Sequence, residues 1–341
     1  MSKIRFAVIG FGHIGMRHAE MIRRRTDTEL VAVVDTNIQL KDLVEKNYAT
    51  VFFNSIEELL KSNLDLDVVN ICTPNGLHAS QSLLALEKKC HVVCEKPMGL
   101  TKADCEQVIF KSLQVSRQVF CVMQNRYSPP SAWLKSLIEE NRFGNVFMVQ
   151  VNCYWNRDDR YYKKGGWKGL YDLDGGPLFT QFSHFIDIMY WLFGDIKDIN
   201  ARCENFNHTK STEFIDDSGI VNFHFNNGGI GCINYTTSVW DKNLESSITI
   251  IGENGSVKVG GQYMDKVEYC HIKDYVMPEL APSNPPNDYG TYKGSAANHH
   301  YVIDNVVETL QGKSTITTNA LEGLKVVDII ERIYHQIKYD S

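Results

Sequence analysis

Residues 3–35, KIRFAVIGFGHIGMRHAEMIRRRTDTELVAVVD, decide the fold of the first part of the chain. An apolar run at 4–9 has strand character and leads directly into the glycine-rich turn 10–15. A helical segment at 16–25 follows, and then a second apolar run with a terminal acid at 30–35. Strand, glycine turn, helix, strand and terminal acid in this order indicate a dinucleotide-binding βαβ unit.

The glycine turn predicts how a dinucleotide is bound. Gly10 permits the tight turn, Gly12 lets the backbone approach a pyrophosphate, and Gly15 lets the helix pack closely on the strand. The helix N-terminus offers N–H groups and the positive end of its dipole to the phosphates. A purely structural βαβ turn is the alternative, but every contextual requirement of the motif is met. The cofactor-binding residues predicted here are Gly10, Phe11, Gly12, His13, Ile14 and Gly15.

Asp35 predicts which cofactor is preferred. Its carboxylate can accept hydrogen bonds from the 2′- and 3′-hydroxyls of the adenosine ribose, and it would repel a 2′-phosphate. The next residues, 36–38, supply no arginine to reverse that preference. NAD is therefore predicted rather than NADP.

The composition is typical of a globular enzyme with about two domains. The chain has 341 residues, of which 43% are hydrophobic and 22% charged. Its net charge is −6 and it has no basic block, so we expect no nucleic-acid partner. No apolar run approaches the length of a membrane span, and the first strand begins almost at once. We therefore expect neither a membrane association nor a signal peptide.

Nine cysteines are scattered along the chain without a CxxC pair. Several lie inside apolar strands, as buried reduced thiols do. We therefore expect a cytoplasmic protein with no metal site.

Strands and helices alternate through the first 125 residues. Continuous apolar strands at 68–72, 91–94 and 119–123 are separated by helical segments, which indicates a doubly wound parallel sheet. Ligands of such sheets bind outside the carboxyl ends of the strands. The cofactor-binding residues predicted at that edge are Asp35, Thr73, Pro74, Asn75, His78, Glu95, Lys96 and Gln124.

The pattern changes after this alternation. One helix is predicted at 129–141, and short β-type runs then dominate 147–272, separated by turns such as 226–229. A helix at 179–193 interrupts them. This pattern indicates an α+β domain with a large, mostly antiparallel, open sheet. An open face must be covered, so we expect a homo-oligomer, either a dimer or a tetramer.

The end of the chain combines a loop and two helices. The segment 278–293 contains four prolines and is predicted to be a long, mobile flap. Helices are predicted at 298–311 and 320–338, and the paired His299 and His300 are interpreted as an exposed cap region. The fold class is therefore α/β, with three predicted regions: a Rossmann NAD-binding domain (1–125), an α+β substrate and oligomerisation domain (126–318) and a C-terminal helix (319–341).

The tetrapeptide CEKP at 94–97 ends a predicted strand at the cofactor edge. Lys96 in that place can touch a substrate hydroxyl next to the nicotinamide. A solvated lysine at the start of a loop is an equally good interpretation. Pro97 fixes the local backbone, and a cis Lys96–Pro97 peptide bond fits this position.

A second motif, DGGPLFTQFSHFID at 174–187, places polar side chains on one face of the predicted helix. Thr180, His184 and Asp187 follow the spacing i, i+4, i+7. Gln181 lies beside them. Imidazole titrates near neutrality, so His184 is well placed as a general base. A hydrogen-bonded core histidine is the alternative.

These motifs together resemble a known superfamily of NAD(P)-dependent sugar oxidoreductases. It comprises glucose–fructose oxidoreductase, inositol dehydrogenase and the rhizopine-catabolism proteins (Gfo/Idh/MocA). The likeness extends over nearly the whole chain. It rests on the GxGxxG turn, the EKP tripeptide at 95–97 and the GGxxxxxxSHxxD helix.

Further segments are similar to a narrower branch, the UDP-N-acetylglucosaminuronate 3-dehydrogenases of bacterial polysaccharide (O-antigen-type) sugar pathways. Members of that branch oxidise the C3 hydroxyl of UDP-2-acetamido-2-deoxy-glucuronate to a ketone. The segments are QNR at 124–126, RFG at 142–144, WKG at 167–169, NLESSITI at 243–250 and ENGSVKVGG at 253–261.

The resemblance implies roles for individual residues. Lys96 is expected to bind the reacting hydroxyl and His184 to remove its proton, with Trp167 added to the predicted cofactor-binding residues. One position departs from the superfamily, where an Asp often stands four residues before the histidine. Here it is Thr180, which cannot take up a proton as a carboxylate can.

A nucleotide-sugar substrate carries negative charges that cations should meet. Each cation of this chain is also interpretable as an ordinary surface charge, and Tyr161 either stacks on a ring of the substrate or belongs to the core. The predicted substrate-binding residues are Lys96, Arg126, Arg157, Arg160, Tyr161, Lys163, Thr180, Gln181 and His184.

Two other functions stay open at this point. One is an NAD-dependent dehydrogenase of a free sugar or cyclitol, although the basic loop 157–164 argues mildly against a neutral substrate. The other is a non-catalytic NAD-binding regulator, which Thr180 permits and the pair Lys96 and His184 disfavours.

Overall fold

The computed structural model describes residues 3–214 and 216–339. The chain divides into two compact units, and each unit is built from two stretches of sequence. Their bounds are Met1–Met123 with His299–Val327 for the first unit, and Gln124–Asn298 with Asp328–Ser341 for the second.

These units differ from the predicted division near the C-terminus. The sequence-based division assigns 299–318 to the second domain, whereas His299–Val327 packs with the first unit. A side-chain ion pair between Arg25 and Asp304 is one of the contacts that hold it there. Such long-range pairing leaves no local pattern in the sequence.

The first unit contains the predicted parallel sheet. Its strands are β1 (Ile4–Ile9), β2 (Thr28–Val34), β3 (Val51–Phe53), β4 (Val68–Ile71), β5 (His91–Cys94) and β6 (Val119–Cys121). They are ordered β3-β2-β1-β4-β5-β6, the order of a dinucleotide-binding Rossmann sheet. The helices that begin in this unit are α1 (His13–Arg24), α2 (Lys41–Leu43), α3 (Ile56–Lys61), α4 (His78–Glu87), α5 (Lys102–Gln114), α10 (His299–Leu310) and α11 (Ala320–Tyr339).

Helix α1 shows why this region folds as predicted. Its buried residues Gly15, His18, Ala19 and Ile22 form a stripe at i, i+3, i+4 and i+7, which is the face an amphipathic helix turns to a sheet. The helix contacts β1, β2 and β4. Strand β4 is buried at all four positions, as expected for an internal parallel strand covered on both faces.

The second unit contains a seven-stranded sheet in the order β13-β12-β11-β7-β10-β9-β8. Only β7 and β10 pair in parallel; the other neighbours are antiparallel, as predicted. The strands are β7 (Val146–Tyr154), β8 (Ile196–Glu204), β9 (Ser218–Phe225), β10 (Ile230–Thr236), β11 (Glu245–Gly252), β12 (Gly255–Gly260) and β13 (Lys266–Ile272). The helices that begin in this unit are α6 (Pro129–Glu139), α7 (Tyr171–Asp174), α8 (Pro177–Thr180) and α9 (Ser183–Phe193).

The two faces of this sheet have different surroundings. Alternating residues Val221, Phe223 and Phe225 of β9 are buried, and α9 packs on β7 and α6. On the opposite face, Ile220 and Ile230 are 56% and 45% exposed. This period-two pattern is that of a sheet with one covered and one open face.

The predicted helix at 179–193 is interrupted. The backbone N–H groups of Gln181 and Phe182 both donate to Pro177 O, at 2.9 and 3.0 Å. The hydrogen-bond register therefore slips by one residue, which separates α8 from α9. Thr180 and His184 thus lie on different helices, and the prediction that they share one helix face is wrong.

The predicted loop at 278–293 is partly structured. Its second half belongs to a two-stranded antiparallel hairpin, β14 (Pro286–Asp288) with β15 (Lys293–Ala296). Tyr292 in the connection stacks on Tyr289 and packs edge-to-face against Tyr161, which holds the hairpin against the 161–162 segment of the same unit. Within residues 3–214 and 216–339, no helix has the length and apolar character that crossing a membrane requires.

Candidate functional site

Two glycines of the turn between β1 and α1 leave no room for a side chain. Gly10 adopts φ +84°, and a Cβ there would lie 2.7 Å from Cys72 O. A Cβ on Gly15 would lie 1.9 Å from Gly10 O. These contacts are the tight turn and the close helix–strand approach that the motif requires.

Gly12 has the opposite surroundings. A Cβ on Gly12 would meet no atom within 4 Å. Gly12 is the N-cap of α1, no side chain caps this helix, and His13 at its start is exposed while Ile14 is half-buried. The helix therefore presents its N-terminal dipole end beside space that a pyrophosphate can fill. This geometry fits a dinucleotide cofactor.

The carboxylate of Asp35 closes the same turn. Its Oδ2 accepts a hydrogen bond from the Phe11 N–H at 2.7 Å, and its Oδ1 accepts one from the Asn37 N–H at 2.8 Å. Each oxygen keeps a further lone pair for a ribose hydroxyl. The Phe11 side chain is 1% exposed and packs edge-to-face on Tyr48, so only its backbone is available to a cofactor.

His78 has a structural position in the strand-end edge. Its Nδ1 lies 2.6 Å from Pro97 O and its Nε2 lies 2.8 Å from Thr73 O. Burial lowers the pKa of His78, against the opposing effect of the two carbonyls. The ring joins the turns after β4 and β5, so the prediction that His78 binds cofactor directly is corrected. In the same turn Pro74 is half-buried and Asn75 is buried.

Lys96 lies at the turn after β5. The Lys96–Pro97 peptide bond is cis, as expected from the sequence. Glu95 is 7% exposed, whereas Lys96 is half-buried. The Lys96 N–H donates to Glu95 Oε2 at 3.3 Å. The first unit thus brings the glycine turn, Asp35 and Lys96 to the carboxyl ends of its strands.

His184 is buried at the start of α9 in the second unit. Its Nε2 lies 3.2 Å from the amide nitrogen of Gln124, and both residues are 3% exposed. With the amide in this orientation, Gln124 donates to the Nε2 lone pair, so the proton of neutral His184 is on Nδ1. Gln124 is held in turn by Asn298, whose amide donates to Gln124 O at 3.3 Å.

Thr180 is bonded to a buried carboxylate that the sequence reasoning did not select. The Thr180 hydroxyl contacts Oδ1 of Asp174 and also lies 3.0 Å from Asp174 O. Asp174 is completely buried, and its Oδ2 accepts from the Gly169 N–H at 2.9 Å. A carboxylate is therefore present beside the position where the superfamily often has one.

Gln181 and Tyr161, which are both predicted to bind substrate, contact each other. The Gln181 amide donates to the Tyr161 hydroxyl at 3.0 Å, and both side chains are buried. Gln181 Oε1 has no hydrogen-bond partner among the described residues. It is a buried acceptor in a polar cluster, which is the type of group that orients a ligand.

Arg126 forms a buried ion pair instead of an open cation. Its Nε and Nη2 donate to the two carboxylate oxygens of Asp187 at 2.8 and 2.6 Å, and both side chains are 1% exposed. Trp191 covers the guanidinium at 5.2 Å. The geometry does not support Arg126 as a substrate ligand, because its charge is neutralised inside the protein.

Arg157 is also internal. Its guanidinium donates to Asn156 O at 2.6 Å and to Lys293 O at 3.1 Å. It lies over the rings of Trp155, Tyr161 and Tyr292 at 4.7–5.1 Å. Burial lowers the pKa of Arg157, while the neighbouring tyrosines raise it. Cation–π stacking and hydrogen bonds to backbone carbonyls give Arg157 a structural role, contrary to the prediction that it binds substrate.

The remaining predicted cations and rings are closer to solvent. Arg160 is paired with Asp158 at 2.7 Å and with Asp241 at 3.5 Å. Lys163 is exposed and Trp167 is half-buried in the loop before α7. Of the four predicted cations of this unit, Lys163 therefore stays most available to an anion.

Sequence reasoning missed some buried polar residues. Asp174, in the DGG turn at 174–176, has no role among the sequence-based predictions. His18 lies three residues after the last glycine of the turn, on the buried stripe of α1, and this spacing was a usable signal. His299 is 1% exposed, so its interpretation as an exposed cap residue is wrong. Its partner is Glu95, which no local pattern indicates.

The fold and these residues define an NAD-binding oxidoreductase with a Rossmann unit followed by an α/β unit. Residues 4–121 match the model of an oxidoreductase family with an NAD-binding Rossmann fold. Residues 135–341 match the C-terminal alpha/beta domain of that family. The chain belongs to the Gfo/Idh/MocA oxidoreductase family, and its cofactor is NAD.

Solved structures resemble this chain over almost its full length. One is the WlbA dehydrogenase from Bordetella pertussis in complex with NADH and UDP-GlcNAcA, with a TM-score of 0.87 at 29% identity over 99% of this chain and 98% of that one. Another is the WlbA dehydrogenase from Chromobacterium violaceum with the same ligands, with a TM-score of 0.88 at 30% identity over 99% and 94%. A curated relative, glucose-6-phosphate 3-dehydrogenase of Bacillus subtilis (strain 168), is 25% identical over 98% of this chain and 96% of its own length.

Proposed function

We propose that this protein oxidises the C3 hydroxyl of UDP-2-acetamido-2-deoxy-D-glucuronate to the 3-keto sugar, using NAD, in the supply of polysaccharide precursors. The observation that carries this proposal is the full-length likeness to two WlbA dehydrogenases in complex with NADH and UDP-GlcNAcA. The 3-dehydrogenase relative from Bacillus subtilis supports the same position of oxidation on the sugar ring.

The proposed reaction divides between two side chains and the cofactor. The glycine turn and Asp35 would hold NAD, which would supply the acceptor for the hydride that leaves C3. Lys96 donates a hydrogen bond to the reacting hydroxyl, and His184 Nε2 accepts its proton. General acid–base assistance of this kind contributes roughly 10²- to 10⁴-fold to a rate.

The environment of His184 supports its role as the base. In the contact with the Gln124 amide nitrogen at 3.2 Å, Nε2 holds the lone pair and Nδ1 holds the proton. The reacting hydroxyl has to replace the Gln124 amide at that lone pair. A neutral imidazole in this tautomer can take up a proton at Nε2 without first losing one. Thr180 is assigned no proton transfer, because its hydroxyl is bonded to Asp174.

The proposed substrate-binding groups are the predicted residues that remain after the buried Arg126 and Arg157 are set aside. Lys163 is an exposed cation suited to a diphosphate or carboxylate as a point charge. Gln181 offers its unpartnered Oε1 to a sugar hydroxyl. Tyr161 presents a buried ring and hydroxyl in the same cluster. Trp167 keeps its assignment to the cofactor.

The second candidate function is a dehydrogenase of a sugar that carries no nucleotide. The glucose-6-phosphate 3-dehydrogenase relative favours this candidate. The burial of Arg126 and Arg157 also favours it, because fewer accessible cations remain to bind a diphosphate and a carboxylate. Rates with nucleotide and non-nucleotide sugars separate the two candidates.

We also propose that the open sheet face forms a homo-oligomer interface. Five apolar side chains on this face are at least 40% exposed, and apolar residues repeated across neighbouring strands favour burial against a partner. They are Met148, Ile220, Ile230, Ile251 and Tyr269. Ile220→Lys with Ile230→Lys should lower the mass measured by light scattering; an unchanged mass contradicts this interface.

The catalytic assignment is tested by Lys96→Met and His184→Asn in single-turnover NADH formation at saturating NAD. Each variant should lose about 10²- to 10⁴-fold in rate while still binding NAD. The matched controls Lys88→Met and His271→Asn replace exposed residues of the same types and should stay within about twofold. Near wild-type rates in both site variants would show that the mechanism is wrong.

A further inference from the structure

Glu95 is contacted by two histidines from distant segments of the first unit. His18 Nε2 lies 3.0 Å from Glu95 Oε1, and His299 Nε2 lies 3.5 Å from the same oxygen. All three residues are buried, with exposed fractions of 1%, 7% and 1%. The cluster joins α1, which carries the glycine turn at its N-terminus, to the Lys96 turn and to the first residue of α10.

The hydrogen bonds of this cluster indicate where its protons lie when the Asn70 amide nitrogen faces His18. Asn70 Nδ2 lies 2.9 Å from His18 Nδ1, so the amide donates to Nδ1 and the His18 proton is on Nε2, facing Glu95. Burial raises the pKa of Glu95, but the hydrogen bonds from His18 and His299 outweigh it and hold that pKa well below its usual range. Burial also lowers the pKa of His299. The cluster is therefore an ionised carboxylate that accepts hydrogen bonds from two imidazoles.

The other carboxylate oxygen bonds to the proposed catalytic residue. Glu95 Oε2 accepts the backbone N–H of Lys96 at 3.3 Å. We propose that Glu95, His18 and His299 form a positioning triad that fixes the Lys96 turn and keeps a negative charge beside the Lys96 ammonium. This inference rests on the proposed role of Lys96. With the triad in place, Lys96 acts as a protonated hydrogen-bond donor, and removal of the hydroxyl proton falls to His184.

Packing alone does not explain such a cluster. A buried carboxylate loses its hydration, and an apolar side chain of similar volume is usually as stable or more stable there. We therefore attribute the buried charge of Glu95 to its effect on the adjacent Lys96. Other titratable or charged groups surround the cluster. Glu95 raises the pKa values of Cys72, His78 and Cys94, Lys96 lowers the pKa of His78, and Arg17 lowers the pKa of His299.

The first test measures the pKa of Lys96 without turnover. The enzyme is reductively methylated with ¹³C, the Lys96 signal is assigned with Lys96→Arg, and it is titrated by NMR in wild type and in Glu95→Gln. Loss of the neighbouring carboxylate should lower the Lys96 pKa by about one unit. Glu106→Gln, an exposed acid on α5, is the control and should leave it unchanged. An unshifted Lys96 pKa in Glu95→Gln overturns the triad.

The second test separates positioning from stability. Gln at position 299 can still donate to Glu95, whereas Leu cannot. His299→Gln should keep kcat within about threefold, and His299→Leu should lower kcat by about tenfold or more with KM within about threefold. Equal kcat per folded enzyme in the two variants overturns the triad.

A divalent metal is the competing interpretation of the same atoms. The three ligand atoms lie within 4.8 Å of one another, and turning the Asn70 amide around would let its oxygen accept from His18 Nδ1–H, as metal-bound histidines require. Elemental analysis of the purified enzyme should find no stoichiometric zinc, and EDTA should leave kcat unchanged. One zinc per chain that is lost in His299→Leu overturns the triad. If wild type fails to oxidise the UDP-sugar, the proposed function fails, while the Lys96 titration still decides the triad.

Discussion

The glycine turn of the first unit presents backbone, whereas the α8–α9 region of the second unit presents buried side chains. At the turn, a Cβ on Gly10 or Gly15 would lie closest to a backbone oxygen, whereas a Cβ on Gly12 would meet no atom within 4 Å. In the α8–α9 region, His184 and Asp187 are each held by a partner from the 124–126 segment. Backbone sites are therefore fixed by local sequence, but side-chain sites depend on partners distant in the chain.

The largest expected effect is the loss of one of those distant partners. Arg126→Met leaves the buried Asp187 carboxylate without its bidentate partner, and it should lower the free energy of unfolding by about 3–5 kcal/mol. Urea denaturation measures this. The double variant Arg126→Met with Asp187→Leu should recover most of the loss.

A surface ion pair is the matched control for this prediction. Lys46 and Asp42 are 3.0 Å apart but 73% and 79% exposed, so Lys46→Ala should cost less than about 1 kcal/mol. Equal losses for Arg126→Met and Lys46→Ala would mean that burial of the Arg126 pair does not matter.

The second effect is a pH dependence in the second unit. Burial raises the pKa of Asp216 from 3.8 to about 7, although the hydroxyls of Tyr235 and Tyr334 oppose the shift. The native state therefore binds this proton more tightly than the unfolded chain does. Stability from this group is complete below pH 3.8 and is lost as pH rises through about 7.

Asp216→Asn removes that dependence. Between pH 4 and pH 8 the wild-type free energy of unfolding should fall relative to that of the variant, by up to about 4 kcal/mol. Urea denaturation at several pH values measures the difference. Parallel curves for the two proteins contradict the raised pKa.

The smallest expected effects compare two glycines of the turn. Gly15→Ala places a Cβ 1.9 Å from Gly10 O and should cost about 1–3 kcal/mol of stability. Gly12→Ala meets no protein atom within 4 Å, so stability should change by less than about 0.5 kcal/mol. Its methyl group intrudes on the pyrophosphate space, and the NAD dissociation constant should rise about tenfold or more. Wild-type NAD affinity in Gly12→Ala would place the cofactor elsewhere.

Local sequence predicted the first unit well. The predicted strand at 4–9 coincides with β1 (Ile4–Ile9), because a glycine turn and apolar flanks fix its ends. The helix α1 begins at His13 and not at residue 16, because the turn motif itself supplies the N-cap. The parallel sheet, the mostly antiparallel sheet and NAD as the cofactor are confirmed.

The side-chain partners could not be predicted in the same way. Arg126 and Arg157 appear in the sequence as candidate anion ligands, yet the first is neutralised by Asp187 and the second is covered by aromatic rings. His299 appears as a cap residue but faces Glu95. In each case the partner is distant in sequence, so only the tertiary structure shows whether the side chain is exposed to solvent or buried against that partner.

The most direct test of the proposed function is a comparison of substrates at saturating NAD. Initial rates of NADH formation are measured with UDP-2-acetamido-2-deoxy-D-glucuronate, UDP-N-acetylglucosamine, glucose 6-phosphate and myo-inositol. We predict a kcat/KM for the UDP-sugar acid at least about 10²-fold above the others, because a site built for a charged group discriminates strongly against analogues that lack it. Equal or higher kcat/KM for glucose 6-phosphate or inositol would contradict the account.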